Sequence, residues 1–337
     1  MISTLKFILT AGFAATCIAA STEGEQQFAS IGDLNLQSGA VLKDCKVGYR
    51  TFGKMDAAKD NVVLVPTWYL GISENFVNSF KPGGLVDATK YYVIAVDALG
   101  NGVSTSPSNS TGQHDADFPA LTIKDMVTSQ HQMLIGLGIQ HLHAVVGISM
   151  GGIQAFTWIT AYPDFLDKAV PIVGSPKPTS YDLMFDRSAI KAMDAALAHP
   201  DSRDDLIRAF ADYFWLSLTT PSYNVEHTKR ETAVESMSGF EKALLAWDIY
   251  DMKVDLDAIC TNDAFAPLDE AAAIKAIHAK VLVISAVQDH AVNPAPALSF
   301  AKASGSQILL LTGNPGHSSP GMESKRVNAA VDTFLSR

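Results

Sequence analysis

Cysteine is scarce in this sequence, which has three in 337 residues. Three thiols cannot build a framework of several disulfides or a four-thiolate zinc site. Basic residues are also few: 25 Lys and Arg stand against 35 Asp and Glu, so the formal net charge is −10. Proteins that bind nucleic acid need a basic surface for the phosphates, so this charge argues against such a partner. Wholesale disorder is excluded as well, because 47% of the residues are hydrophobic.

The N-terminal hydrophobic run is too short to cross a membrane. It covers 14 residues, from Phe7 to Ala20, whereas a spanning helix needs about 20. One basic residue, Lys6, precedes the run and small residues end it, as in a secretory signal peptide. We therefore predict that residues 1–20 are a cleaved signal peptide and that the protein is periplasmic or secreted, without stable membrane insertion. An uncleaved anchor is the alternative, and lipidation of Cys17 is disfavoured because a threonine precedes it.

Removal of the signal peptide would leave two cysteines, Cys45 and Cys260. In an oxidising compartment they either form one disulfide or remain separate buried thiols, and the sequence does not place their Cα atoms. We favour two separate thiols.

Short apolar runs rich in β-branched residues alternate with helical patterns along the chain. The runs are apolar throughout rather than at every second position, which indicates strands buried on both faces of a parallel sheet. The segment Cys45–Phe52 is typical of an antiparallel strand joining that sheet. Together these patterns predict a doubly wound α/β fold. The predicted buried strands are Val62–Pro66, Tyr91–Val96, Leu142–Gly147, Ala169–Gly174, Lys280–Ser285 and Gln307–Leu311.

Two helices are predicted among the earlier strands. Thr122 and Asp125 form a capping box that starts one helix, which ends before Gly138. The other is predicted from Met150 to Tyr162, before a proline.

The strand pattern is interrupted late in the chain. Between residues 176 and 277 only helical patterns occur, such as Asp205–Leu218 and Phe240–Val254. Open α/β sheets bind ligands at the carboxyl ends of their strands, so a helical insertion there would roof a pocket. We interpret residues 176–277 as a helical cap inserted between late strands, with residues 21–175 and 278–337 as the core domain.

A Gly-x-Ser-x-Gly pattern occurs at Gly147–Gly151, with Ser149 at its centre. The pattern alone is common by chance, but here it follows a predicted strand and opens a predicted helix. A sharp elbow of this kind exposes the serine hydroxyl, and its glycines let neighbouring backbone approach. Ser149 is therefore the predicted nucleophile, and an ordinary glycine-rich turn is the alternative.

A serine nucleophile needs a histidine base and an acid that orients the histidine. On a sheet of this type the expected chain order is serine, acid, histidine. Asp289 follows the strand that ends at Ser285, and His317 follows the strand that ends at Leu311. We predict Asp289 as the acid and His317 as the base.

Three other residues compete for these roles. His290 is disfavoured as the base because it neighbours the acid in sequence. Asp248 and Asp251 are disfavoured as the acid because they fall in the predicted cap, where we expect them to be solvated.

An oxyanion hole requires backbone N–H groups directed at the developing negative charge. We predict Met150 as one donor, because it follows the nucleophile and begins a helix. The second donor is expected in the loop after Val62–Pro66. We choose the Trp68 amide, and the Tyr69 amide is the alternative because the register is uncertain by one residue. Tyr69 and Leu70 are also candidates for the wall of the substrate pocket.

No metal site and no cofactor are predicted. The nine histidines are scattered along the chain. His141 precedes the predicted strand Leu142–Gly147 and His143 lies within it, and we interpret them as a structural pair rather than as metal ligands.

Several motifs together resemble one known family. With them the mature chain is similar to the homoserine O-acetyltransferase group of the α/β-hydrolase superfamily, and specifically to its hydrolase-like members. The resemblance implies an α/β-hydrolase fold, a Ser149–Asp289–His317 triad and an acyl-enzyme intermediate. The motifs are Gln37–Gly39, Val47–Lys54, Pro66–Gly71, Ala98–Ser104, Gly147–Gly152 and Tyr162–Asp164.

Departures from the group's pattern bear on the acyl acceptor. Proteins resembling true homoserine acetyltransferases carry an acidic residue after the catalytic histidine, where this chain has Ser318. The arginine-bearing Gly-Leu-x-x-Ala-Arg stretch is not visible in the cap, and the His-Ala-Leu-Thr-Gly loop is replaced by Pro66–Gly71. Acetyl-CoA is also a cytosolic donor, whereas export is predicted. The resemblance with its departures therefore favours a secreted carboxylic-ester hydrolase acting on a small-molecule acyl ester.

Three alternatives are kept. One is an O-acetyltransferase that uses acetyl-CoA, one is a peptidase, and one is a secreted binding module that has the fold without turnover. Dehalogenase and epoxide-hydrolase chemistry is disfavoured, because enzymes of those types with resembling folds carry Asp at the elbow. The sequence does not define the acyl-chain length, the natural substrate or the oligomeric state, so a homodimer stays open.

Overall fold

A single β-sheet forms the centre of the computed structural model, which describes residues 23–337. The predicted signal peptide, residues 1–20, lies outside the described residues. The strands are β1 (Gln27–Asn35), β2 (Val41–Phe52), β3 (Val62–Pro66), β4 (Tyr92–Val96), β5 (Leu142–Ile148), β6 (Leu166–Ile172), β7 (Lys280–Ala286) and β8 (Gln307–Leu311). In the described part of the chain they form an eight-stranded sheet with the order β1-β2-β4-β3-β5-β6-β7-β8. Neighbours from β4 to β8 are parallel, whereas β1 and β2 join one edge in antiparallel pairs.

The doubly wound, mostly parallel α/β fold predicted from the apolar runs is confirmed. β3 and β8 have the predicted bounds, and every residue of β3 is buried. The bounds predicted for β6 are wrong, because the strand begins earlier, at Leu166, and ends at Ile172. Polar Asp167 and Lys168 conceal its start, and it ends where Val173 takes a positive φ of 42° and leaves the strand conformation.

The sequence pattern does not predict β1. Most of its residues are half-buried or exposed, and its register against β2 shifts at Gly32. An edge strand that is solvent-exposed on one side and interrupted by a shift of register has no continuous apolar run by which it could be predicted.

Helices cover both faces of the sheet. The capping box at the start of α1 is confirmed: Thr122 Oγ1 accepts from Asp125 N at 3.2 Å, and Asp125 Oδ2 accepts from Thr122 N at 2.9 Å. The helix predicted after Ser149 is also present, one residue shorter than expected. None of the helices within residues 23–337 is long and apolar enough to cross a membrane. The helices are α1 (Ile123–Gly136), α2 (Met150–Ala161), α3 (Ser180–Ala198), α4 (Arg203–Leu218), α5 (Pro221–His227), α6 (Ser238–Leu245), α7 (Ile249–Cys260), α8 (Glu270–Lys275), α9 (Ala295–Ser304), α10 (Ser319–Met322) and α11 (Ser324–Leu335).

The chain between β6 and β7 contains α3 to α8, and we refer to residues 180–275 as the helical segment. The pattern Asp205–Leu218 lies within α4, as predicted. The single helix predicted over Phe240–Val254 is wrong, because α6 and α7 are separate helices. The break occurs at Asp248, whose carboxylate accepts from the Tyr250 amide at 2.8 Å and thereby starts α7.

The two cysteines of the described chain are free thiols in different places. Cys45 lies in β2 and Cys260 ends α7, and both are buried. Burial raises the pKa of each thiol to about 12. No disulfide joins them, in agreement with the separate thiols that we favoured.

Candidate active site

Ser149 occupies a strained turn between β5 and α2. Its backbone has φ +56° and ψ −122°, a conformation that residues other than glycine seldom adopt. The Ser149 amide donates to the carbonyl of Ile172 at the end of β6 over 2.9 Å, and the Ser149 carbonyl accepts the first helical bond from Ile153 over 2.9 Å. These bonds hold the serine beyond the carboxyl end of β5.

The glycines of the elbow are required by close backbone contacts. A Cβ at Gly151 would lie 2.5 Å from the carbonyl oxygen of Pro66, and a Cβ at Gly152 would lie 2.9 Å from that of Ile172. At Gly147 a Cβ would overlap the carbonyl of Gly151. The motif therefore exists because α2 begins against the ends of β3 and β6.

The structure brings the three residues of the predicted triad together. His317 Nε2 lies 2.9 Å from Ser149 Oγ, and His317 Nδ1 lies 2.7 Å from Asp289 Oδ2. The side chain of Asp289 is 1% exposed and that of His317 is 11% exposed. With the imidazole proton on Nδ1 donated to the carboxylate, Nε2 is free to accept the serine proton. This is an arrangement that can turn a hydroxyl into a nucleophile.

Each member of the triad is carried by a loop at the carboxyl end of a different strand. Ser149 follows β5, Asp289 lies three residues after β7 ends, and His317 lies in the loop after β8. Asp289 is also held within its own loop, because its Oδ1 accepts from the amides of Ala291 and Val292, each at 2.9 Å. These bonds satisfy the buried carboxylate and fix its second oxygen toward the imidazole.

The rival candidates lie elsewhere. Asp289 contacts His317 rather than its neighbour His290. Asp248 caps α7, as described above. Asp251 was expected to be solvated, and that expectation is wrong: it is 3% exposed, and its carboxylate accepts from the amide and hydroxyl of Ser108 at 2.9 and 2.6 Å.

Of the two predicted oxyanion donors, Met150 lies within the elbow and Trp68 lies in the loop after β3. Among the described residues, neither the Met150 amide nor the Trp68 amide has a hydrogen-bond acceptor. Met150 is the first residue of α2, where the helix dipole favours negative charge. Trp68 lies in the loop that follows β3, and its ring packs edge-on against Phe76 with centroids 4.6 Å apart.

A buried carboxylate that sequence reasoning missed supports the loop of Trp68. Asp97, at the end of β4, is fully buried and accepts from Ser73 N at 2.6 Å, Ser73 Oγ at 2.8 Å and Asn101 Nδ2 at 3.2 Å. Asn101 in turn donates to the carbonyl of Gly71 at 3.1 Å. Its position could have indicated this role. Asp97 directly follows a buried strand, and it lies beside the loop that follows the neighbouring strand.

The predicted pocket residues differ in burial. Tyr69 is 8% exposed and its ring meets Phe214 of α4 edge-on, with centroids 5.6 Å apart. Within residues 23–337 its hydroxyl has no hydrogen-bond partner, and burial raises its pKa well above the usual value. Leu70 is half-buried and has a positive φ of 61°. The loop after β3 therefore faces the helical segment through Tyr69.

The burial of three carboxylates in the helical segment is also not predicted from the sequence. Burial raises the pKa of Asp186 to about 7, with the nearby charge of Asp182 adding to the shift. Burial likewise raises the pKa of Asp251 to about 6 and that of Asp255 well above its usual value. Polar residues on amphipathic helices are normally expected on the solvent-facing side, so no pattern in the sequence indicates that these three carboxylates are buried.

The raised pKa of Asp186 predicts a pH-dependent stability. The folded state keeps a proton on Asp186 up to about pH 7, whereas the unfolded chain loses it near pH 4. The stabilisation is complete below the unfolded pKa and is lost as pH rises toward the folded pKa, at up to about 1.4 kcal/mol per pH unit. We expect urea denaturation to show a fall in the free energy of unfolding between pH 5 and 7.5 that is smaller in Asp186→Asn by about 2 kcal/mol.

The exposed Asp201→Asn variant is the matched control, since it removes one negative charge from the same segment. Its pH dependence should follow that of the unmodified protein. Parallel curves for Asp186→Asn and the unmodified protein would contradict the assignment of this slope to Asp186.

The paired histidines are engaged in separate contacts. His143 Nε2 lies 2.9 Å from the carbonyl of Leu335, and His141 Nε2 lies 3.0 Å from Asp167. In residues 23–337 there is no group of three or more His, Cys, Asp or Glu that could hold a metal ion.

Comparisons with known proteins bear on the family and the fold. Residues 60–320 match the family described as alpha/beta hydrolase fold. A probable esterase of Corynebacterium glutamicum is 36% identical over 180 residues, 52% of each chain. A homoserine O-acetyltransferase of Nautilia profundicola is 36% identical over 181 residues, 48% of this chain and 49% of the relative. The chain thus spans about half the length of the curated relatives it matches.

A solved structure resembles nearly the whole chain. The acetylester hydrolase from Corynebacterium glutamicum has a TM-score of 0.84 and 25% sequence identity, and the similarity covers 92% of this chain and 95% of that one. The resemblance inferred from the sequence motifs, to a group that includes both homoserine O-acetyltransferases and esterases, is confirmed.

Proposed function

The chain belongs to the α/β hydrolase fold family, and from that premise we propose that it is a serine-dependent carboxylic-ester hydrolase. The observation that carries the proposal is the continuous line of hydrogen bonds from Asp289 through His317 to Ser149, with distances of 2.7 and 2.9 Å. The esterase relative and the acetylester hydrolase structure support the same class of reaction.

The first half of the reaction is acyl transfer to the enzyme. His317 Nε2 takes the proton of Ser149 as Oγ attacks the ester carbonyl carbon, and the carbonyl π electrons move to oxygen. The amides of Met150 and Trp68 donate to that oxyanion. Collapse of the tetrahedral intermediate breaks the bond to the alkoxy oxygen, which takes the proton from His317 and leaves as the alcohol. Ser149 now carries the acyl group.

The second half uses water as the nucleophile. His317 removes a proton from water as the water oxygen attacks the acyl carbon, and the same amides hold the second oxyanion. Collapse breaks the bond to Ser149 Oγ, which regains its proton from His317, and the carboxylic acid leaves. Asp289 remains ionised throughout and stabilises the imidazolium in both halves.

Hydrolysis is preferred to transfer because two motif features that would hold an amino-acid acceptor are not found: the acidic residue after the catalytic histidine and the arginine-bearing stretch of the helical segment. Ser318 stands directly after His317, where an acidic residue is expected in proteins resembling homoserine acetyltransferases. The predicted signal peptide supports the same choice, because an exported enzyme has no supply of acetyl-CoA. We therefore propose a secreted or periplasmic enzyme that acts on small-molecule acyl esters, with Tyr69 and Leu70 beside the substrate.

Transfer of an acetyl group is the second candidate. The homoserine O-acetyltransferase relative is as similar to this chain in identity as the esterase relative. The two reactions share the first half and differ only in whether water or a substrate hydroxyl attacks the acyl-enzyme.

One experiment separates the two candidates. The protein is incubated with p-nitrophenyl esters of increasing acyl length and, in parallel, with acetyl-CoA and homoserine, while intact mass spectrometry follows acylation. We expect rapid hydrolysis of short esters and an acyl adduct that is absent from Ser149→Ala. Turnover of acetyl-CoA with homoserine well above its hydrolysis would establish the transferase, and absence of both reactions with no adduct would overturn the enzymatic proposal.

A further inference from the structure

The loop that carries His317 is held from outside the sheet. We call residues 312–318, between β8 and α10, the histidine loop. Thr220, at the junction of α4 and α5, donates its hydroxyl to the carbonyl of Asn314 in this loop at 2.6 Å. Thr220 is 2% exposed and Asn314 is half-buried, so water has limited access to this bond.

The direction of the Thr220 hydroxyl is fixed by a second bond. Its oxygen accepts from the amide of Tyr223 at 3.1 Å, which caps the start of α5. A hydroxyl has one proton to donate, and the amide supplies its own, so the Thr220 proton goes to Asn314. The same atom thus ties the first turn of α5 to the histidine loop.

Two further contacts join the same surfaces. Asn314 Nδ2 donates to Glu226 Oε2 of α5 at 2.8 Å. Gly316 has a positive φ of 64°, and a Cβ there would lie 3.4 Å from Thr220 Cγ2 and 3.3 Å from the carbonyl of Gln288. The histidine loop therefore fits closely between α5 and the loop of Asp289.

The helical segment also reaches the loop of the acid. Asp182, in the first turn of α3, accepts from the amide of Asn293 at 2.9 Å. The residue before Asn293 is Val292, whose amide donates to Asp289. The loop that carries Asp289 and the loop that carries His317 thus each accept a hydrogen bond from, or donate one to, a side chain of the helical segment.

We propose that Thr220 is a positioning residue for His317. The helical segment then sets the geometry of the triad, and a displacement of α5 would move the imidazole away from Ser149. This inference rests on the proposed function, because positioning has a meaning only if His317 is the base.

The test compares Thr220→Val with Thr220→Ser. Valine keeps the shape of threonine but cannot donate to Asn314, whereas serine keeps the hydroxyl. Thr122→Val is the matched control, because Thr122 caps α1 with the same hydroxyl chemistry and does not contact the triad. The readouts are kcat and KM for p-nitrophenyl acetate and the downfield NMR resonance of the proton that His317 Nδ1 donates to Asp289.

For Thr220→Val we expect kcat to fall about tenfold, in line with the loss of one buried hydrogen bond, with KM within about twofold. The resonance should shift or broaden. Thr220→Ser should restore both, and Thr122→Val should lower the Tm without changing kcat. Unchanged kcat and resonance in Thr220→Val, or an equal loss of kcat in Thr122→Val or Thr220→Ser, would overturn the proposal.

If Thr220→Val fails to fold, Thr220→Ala carries the test, since it also removes the hydroxyl that donates to the backbone carbonyl of Asn314. A fall in kcat of about tenfold that Thr220→Ser does not show supports the proposal, and an unchanged kcat overturns it. Failure of the proposed function is a different result: the unmodified protein would then show no ester turnover that depends on Ser149.

Discussion

Ser149→Ala is expected to lower kcat for a short ester by about 10³-fold or more, with little effect on the fold. The serine oxygen is the atom that receives the acyl group, and it lies 2.9 Å from His317 Nε2. Alanine offers no oxygen to acylate, so only catalysis by the remaining oxyanion donors is left. Initial rates with p-nitrophenyl acetate and intact mass after treatment with a serine-directed phosphonate measure the loss.

The fold of this variant provides its own control. Alanine has the same Cβ as serine, so the strain of the positive φ of 56° at position 149 is unchanged. The Tm should therefore stay within a few degrees of that of the unmodified protein. If Ser149→Ala kept most of the activity, the nucleophile would have to be another group.

Asp289→Asn should also be strongly damaging, with a fall in kcat of about 10⁴-fold, the size seen when the acid of a serine protease triad becomes an amide. The carboxylate accepts the Nδ1 proton of His317 at 2.7 Å and so leaves Nε2 free for the serine proton. An asparagine amide can donate to Nδ1 instead, which places the imidazole proton on Nε2. The imidazole then cannot accept from Ser149, although the contact distances barely change.

Asp251→Asn is the matched comparison for this prediction. Asp251 is also a buried, hydrogen-bonded aspartate, but its partner is Ser108 rather than the imidazole. We expect its kcat to stay within about threefold of the unmodified value, so that the effect of Asp289→Asn reflects the tautomer and not the loss of a buried charge. Equal losses in both variants would contradict the role given to Asp289.

The elbow and the parallel strands could be predicted because their causes are local. Strands such as β3 are apolar at every position and therefore recognisable without knowledge of their neighbours. The proximity of Asp289 and His317 could be predicted because parallel strands end at the same edge of a sheet, so residues just beyond two such ends come close. The order of the three residues then supports the roles proposed for them.

The missed features depend on contacts between distant parts of the chain. Asp251 looked like a solvated helix residue, and only its contact with Ser108 explains its burial. The contact between Thr220 and Asn314 joins residues 94 positions apart and follows no pattern in either segment. Within the helical segment, weak amphipathic patterns also hid the break at Asp248, where a side chain and not an apolar repeat decides the boundary.

The spacing of the triad along the chain has a consequence for the order of events during biosynthesis. His317 and Ser149 are 168 residues apart, and the proposed base lies in the loop after β8, an edge strand that pairs with β7 in the described part of the chain. Under the proposed mechanism, a partly folded chain with β3 to β6 in place around the elbow would still be inert toward esters. Activity would begin only after β8 has docked, so the topology would delay the chemistry until the sheet is complete.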